Sequence, residues 1–116
     1  MRIGSRQIGP DHPPFVIAEL GVNHDGSVAR ALELVDAARE AGADAVKVQW
    51  FDAGRLLSGE ARLARYQRDG GAADPHDMLR ALQLDAEDFA AVVERAHAAG
   101  LGTMALMSTR ISIIFQ

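Results

Sequence analysis

Lys47 and Gln49 stand two residues apart in the stretch DAVKVQW, residues 44–50. Lys47 is the only lysine of the chain; every other Lys/Arg position is arginine. In an extended strand a spacing of two puts Lys47 and Gln49 on one face and Val46 and Val48 on the other. A charged group on a buried strand is costly unless it is paired or solvated. Lysine offers a compact charge with rotatable donors, which suits a phosphate or a carboxylate. Glu19, near the end of FVIAEL, adds a carboxylate, and Ser108 and Thr109, at the end of LGTMALMST, add two hydroxyls. Lys47 is read as a ligand for an anionic substrate, with Glu19 as its neighbour and candidate catalytic group. Two other readings stay open: a Lys47–Glu19 ion pair with no ligand, or an exposed lysine on a sheet edge.

These groups need elements that bring them to one place. RIGSRQIG (residues 2–9) alternates loosely and fits a small two-stranded ribbon. PDHPP forbids helix. FVIAEL is a short Val/Ile-rich run that reads as a buried strand. GVNHDGS is turn chemistry, with Asp25 or Ser27 as helix N-cap. From Val28 to Ala41 the apolar positions Ala31, Leu34, Val35, Ala38 and Ala41 form a helical stripe, which Gly42 closes. DAVKVQWF is the second strand. Residues 52–75 are irregular, and a loop of that length usually serves a function or is an insertion. HDMLRAL reads as a short helix. DAEDFAAVVERAHAAG reads as a second main helix: Asp85 caps it, Phe89, Val92, Val93 and Ala96 line one face, and Gly100 ends it. LGTMALMST is the third strand.

Strands alternating with amphipathic helices imply parallel pairing. In parallel α/β folds ligands bind beyond the carboxyl ends of the strands. Each strand here carries its unusual polar residue near that end.

Other candidates are weaker. Asn23 and His24 lie on the loop after the first strand, at the same rim. His24 is either a turn histidine bonded to backbone or a positioning group. It has no metal-ligand spacing with His12, His76 or His97. His97, near a helix end, fits the helix dipole. Trp50 and Phe51 fit packing at the strand end. Arg55, Arg62, Arg65 and Arg68 with Tyr66 form either a basic lid or a solvated face. GGAADP has no strand leading into it and is not a phosphate loop.

The 116 residues are 48% hydrophobic and 24% charged, enough for one domain with a modest core. A formal net charge of −4 with no basic block favours neither a nucleic-acid nor a membrane partner. There is no cysteine, which excludes disulfides and thiolate metal sites. The N-terminus lacks a signal-peptide core, and no apolar run approaches the roughly 18 residues of a membrane span. A cytoplasmic location is the expectation.

FVIAELGVNHDGSVARALELVDAAREAGADAVKVQWF closely resembles the start of the sialic acid synthase (N-acetylneuraminate synthase) family. The family pattern there runs I-I-A-E-I-G-x-N-H-x-G, then a helix, then A-G-A-D-A-V-K-F-Q-T-F. IGSRQIG is similar to the family's N-terminal ribbon, and HDMLRALQLDAEDFAAVVERAHAAGL to its second helical segment. The likeness runs from residue 2 to about residue 109; residues 110–116 form a divergent tail.

The resemblance implies an α/β fold, the N-terminal portion of a (β/α)8 TIM-type barrel. It implies condensation of phosphoenolpyruvate with an N-acylated hexosamine, such as N-acetylmannosamine or its phosphate, to a nonulosonic acid. Carried over residue by residue, Lys47 binds phosphoenolpyruvate, Glu19 and Gln49 contact the sugar, and Thr109 lies near phosphoenolpyruvate; Ser108 is read as substrate-binding from its place at the same strand end. The family uses a divalent metal, Mn or Mg, whose Lewis acidity polarises the sugar aldehyde. No histidine of this chain matches its ligands. A homodimer is implied for the full-length family.

Two departures stand out. The family's S-T-P-F is STRISIIFQ here, with Arg110 and Ile111 in place of Pro and Phe. A full barrel of this kind takes about 250 residues. The expectation is a truncated or frame-shifted synthase segment, inactive alone. Alternatives are a non-catalytic oligomerising or binding module, or a synthase for legionaminic, pseudaminic or spore-coat sugars.

Overall fold

The computed structural model describes residues 1–21, 23–50, 77, 80–107 and 110–114. Strands β1 (Arg2–Ile3) and β2 (Arg6–Gln7) form the antiparallel ribbon, turning at Gly4. The main sheet has the order β3 (Ile17–Glu19), β4 (Ala45–Trp50), β5 (Gly102–Met107), β6 (Arg110–Ile114). β3, β4 and β5 run parallel, as the alternation of strands and helices predicts. Helices α1 (Val28–Glu40) and α2 (Ala86–Ala98) lie between them in sequence. Asp77, Arg80 and Ala81 are helical, in keeping with the short helix read from HDMLRAL.

Local chemistry fixes both helices. Ser27, not Asp25, is the N-cap of α1; its Oγ accepts from the Arg30 N–H at 3.3 Å. Asp25 instead adopts φ 53° and pairs with Arg30. Asp85 caps α2, accepting from the Asp88 N–H at 2.7 Å. The C-caps are Ala41 and Ala99, and Gly42 and Gly100 follow at φ 86° and 76°. Ala43 N–H then returns to Ala38 O, and Leu101 N–H to Ala96 O, the six-to-one bond of a Schellman motif. Glycine fills the left-handed position because a Cβ there costs about 1 kcal/mol or more.

The core lies between the helices and one sheet face. Val46 and Val48, Ala31 and Val35 of α1, Phe89, Val92 and Ala96 of α2, and Leu84 are all buried in it. Ala41, read as part of the α1 stripe, is exposed; it is the C-cap, one residue past the last helical residue. Asp36 and Arg95 join the helices on the solvent side through two bonds of 2.9 and 2.7 Å. That guanidinium holds the Asp36 carboxyl below its ordinary range. Trp50 stacks on Phe89 with ring centroids 4.9 Å apart, the packing role read for it.

The ribbon is tied to the amino end of the sheet. Arg6 pairs with Asp44, just before β4, and Asp44 Oδ2 accepts from the Val16 N–H at 2.8 Å.

One element was not read from the sequence: in the divergent tail, β6 pairs antiparallel with β5, from Met107↔Arg110 to Thr103↔Ile114. RISII is rich in β-branched residues, and an open strand edge is a ready template for such a segment.

Candidate functional site

The site forms where β3 ends beside β4. The parallel register sets Glu19 opposite Lys47, so the two side chains share a sheet face. Val46 and Val48 fill the helix-facing side, and period two sends Lys47 and Gln49 to the other. Lys47 Nζ lies 2.9 Å from Glu19 Oε2. Their side chains are 31% and 41% exposed, so the pair opens to solvent and is not a sealed core bridge. Gln49 is half-buried on the same strand face.

The loop after β3 completes the carboxylate's surroundings. Leu20 N–H donates to Lys47 O at 2.8 Å and extends the ladder by one bond. Gly21 N–H donates to Glu19 Oε1 at 3.2 Å. Both carboxylate oxygens are thus engaged, one by ammonium and one by backbone. Asn23 Nδ2 reaches Glu19 O at 3.5 Å. A Cβ on Gly21 would stand 2.6 Å from the Gln49 backbone nitrogen, so the loop passes over β4 too closely for any side chain.

Chemically, an ammonium has three donors, and Glu19 takes one. The arrangement can hold a phosphate or carboxylate at Lys47 beside a hydrogen-bonding carboxylate and the Gln49 amide.

The other predicted residues divide. Asn23 is exposed and touches Glu19 only through its backbone carbonyl. His24 is fully buried, with Nδ1 accepting from the Gly26 N–H at 3.0 Å. It is the backbone-bonded turn histidine of one reading, but its burial was not legible: NHDG reads as an exposed turn. Burial holds its pKa below the ordinary 6.5, against a smaller upward pull from Asp25. Ser108, Thr109, Phe51, His76, the GGAADP stretch and the Arg55–Arg68 group with Tyr66 lie outside the described residues. His97, at the end of α2, sits with Nε2 3.0 Å from Thr103 Oγ1. The part played by Gly21 was missed, though its place directly after the strand-end Glu19 is a signal for close backbone approach.

A metal needs a cluster of donors, and among the described residues no three His, Asp, Glu or Cys side chains are grouped to hold one. The described residues do not fit the divalent metal that the family resemblance implies. A cavity of about 410 Å3 opens at the amino end of the sheet, lined by Ser5, Arg6, Asp44 and His97 among others. It lies away from Lys47, and its Arg6 and Asp44 already neutralise each other. Among the described residues no helix is long and apolar enough to cross a membrane.

The chain is similar to known proteins. The chain is 40% identical over 114 residues to an N,N'-diacetyllegionaminic acid synthase of Legionella pneumophila, covering 97% of this chain and 32% of that protein. It is 49% identical over 70 residues to the spore coat polysaccharide biosynthesis protein SpsE of Bacillus subtilis, covering 60% of this chain and 16% of that protein. The chain therefore spans about a third or less of the length of these relatives. In three dimensions it is similar to the N-acetylneuraminic acid (sialic acid) synthetase of Leptospira borgpetersenii, solved with citrate. The TM-score is 0.73 at 23% identity, covering 92% of this chain and 33% of that one. At that identity the likeness concerns the fold, part of a TIM-type barrel. The NeuB family profile matches residues 34–113, more than half of the chain. A profile match of that extent, and a relative aligned along nearly the whole sequence, leave one assignment: the chain belongs to the NeuB family.

Proposed function

We propose that this chain contributes the Glu19–Lys47–Gln49 part of a nonulosonic acid synthase site, where phosphoenolpyruvate condenses with an N-acylated amino sugar. The observation that carries the reading is the half-exposed ammonium of Lys47, held 2.9 Å from Glu19 with donors to spare. Lys47 binds the phosphate or carboxylate of phosphoenolpyruvate. Glu19, fixed through both oxygens, and Gln49 receive the sugar hydroxyls or amide. Ser108 and Thr109 supply hydroxyls for the anion in the same reading. In the reaction C3 of phosphoenolpyruvate bonds to the sugar aldehyde carbon, and the carbonyl pair becomes an alkoxide that takes a proton. Water adds at C2, from which phosphate leaves to give the keto acid. These residues hold the two reactants side by side, which removes much of the entropic barrier to their meeting.

The aligned legionaminic acid synthase favours an acceptor that carries two acetamido groups, since the product that names it carries them. The 2.9 Å pair seen here is also what an ion pair with no ligand would show. Binding separates the two readings. Titration of phosphoenolpyruvate into the chain and into Lys47→Ala should show a loss of about tenfold to a hundredfold, the range of one charge-assisted bond. Equal binding by both proteins removes the anion role of Lys47.

A further inference from the structure

The loop that orients Glu19 is held by a buried imidazole to which the proposed reaction gives no task. His24 is 0% exposed. Its Nδ1 accepts from the Gly26 N–H, which places the single proton of a neutral ring on Nε2. Its carbonyl accepts from the Ser27 N–H at 2.9 Å, and Ser27 caps α1. Asp25 and Gly26 both sit at positive φ, 53° and 74°. Gly26 is wedged against the next segment: a Cβ there would lie 2.1 Å from Ala81 O. The same loop supplies the Gly21 N–H and the Asn23 amide that hold Glu19.

We propose that His24 is a positioning residue and a pH-dependent latch: as a neutral ring it locks Gly21 and Asn23–Ser27, and protonation releases them and the Glu19 carboxylate they orient. The role of Glu19 toward substrate rests on the function proposed above; the latch does not.

A second proton must go on Nδ1, where it would face the Gly26 N–H. Nε2 has no hydrogen-bond partner among the described residues. The imidazolium would be a buried cation with two donors and no acceptor, among the costliest states for a side chain. Of the charged groups around it, Asp25 is paired with Arg30, and Glu19 with Lys47. Asp77, Arg80 and Asp85 are exposed on the segment beside Gly26. Among the described residues Asp25 acts on the ring, and its pull is smaller than the effect of burial. The closed loop therefore binds the proton more weakly than the open loop. The imidazole's contribution to the closed state is complete above about pH 6.5, the ordinary histidine value, and declines progressively as pH falls below it.

Nuclear magnetic resonance of the whole chain from about pH 8 to about pH 5 spans the ordinary histidine titration and tests this directly. The 15N shifts of His24 should report the Nε2–H tautomer at neutral pH. Amide exchange at Gly26, corrected for its intrinsic pH dependence, should accelerate about tenfold per pH unit below about 6.5, until the closed-loop imidazole titrates. The Gly21 amide shift should move with the same midpoint. His24→Asn keeps an acceptor for the N–H two residues on but cannot titrate, and should flatten both signals. An Nδ1–H tautomer, amides that ignore the His24 titration, or an unchanged midpoint in His24→Asn overturns the latch. The wild-type titration decides even where the variant does not fold. Phosphoenolpyruvate binding enters none of these readouts, so the latch and the proposed function fail separately.

Discussion

A half-exposed ion pair contributes about 0–1 kcal/mol to folding, so the Lys47–Glu19 bridge is a poor reason for a single lysine in an arginine-rich chain. Ligand binding asks for what the bridge leaves over, a partly solvated ammonium with unused donors. The identity and facing of Lys47 and Gln49 were legible from spacing two alone. The 2.9 Å contact to Glu19 was not, because it depends on the register between two strands. The same register makes Gly21 critical. Gly21→Ala would force a Cβ to within 2.6 Å of the Gln49 nitrogen. The backbone must then shift, at about 1–3 kcal/mol, the usual cost of overpacking. Chemical denaturation should show that loss, and phosphoenolpyruvate titration should show weaker binding. A Gly21→Ala protein with wild-type stability and binding would mean that the strand ends are not held so closely.

At the scale of elements, the helices are specified locally and redundantly. α2 has Asp85 at its N-cap and Gly100 one residue past its C-cap, in the left-handed region. Asp85→Ala should cost about 1 kcal/mol, and Gly100→Ala about 1 kcal/mol or more from the Cβ clash at positive φ. The two sites sit at opposite ends of the helix, so the double variant should lose the sum within about 0.5 kcal/mol. Urea unfolding followed by Trp50, the only tryptophan and stacked on Phe89, measures all three variants. A double variant no worse than either single one contradicts independent caps. Helix spans and caps were legible because their signals lie within four residues of one another. The choice of Ser27 over Asp25 was not. It turns on the Asp25–Gly26 backbone, which the contact with Ala81 helps to fix.

At the scale of the molecule, the sheet separates two jobs. The amino end is tied down by the ribbon through Arg6 and Asp44, while the opposite end presents Glu19 and Lys47. Parallel strands make this possible, because each delivers its carboxyl end to the same rim. The rim offers an ammonium and a carboxylate, but its described residues group no set of metal ligands. The chain also spans only about a third of the synthase it aligns with along nearly its whole length. Purified alone, it should bind phosphoenolpyruvate yet form no nonulosonic acid from it and N-acetylmannosamine or a diacetamido sugar. A colorimetric assay for the keto-acid product checks this, and steady product formation at enzyme-like rates would contradict it.

Alternation of period two and period 3.6 and cap residues were enough to establish strands, helices, parallel order and the face that carries Lys47 and Gln49. Those properties are local: each is set by residues within a turn or a strand of one another. Tertiary structure decided the rest. It joined Lys47 to Glu19, drew Gly21 over Gln49, buried His24 and laid Arg110–Ile114 antiparallel on β5. Each of these depends on which distant segments meet and in what register, and no short-range pattern encodes that.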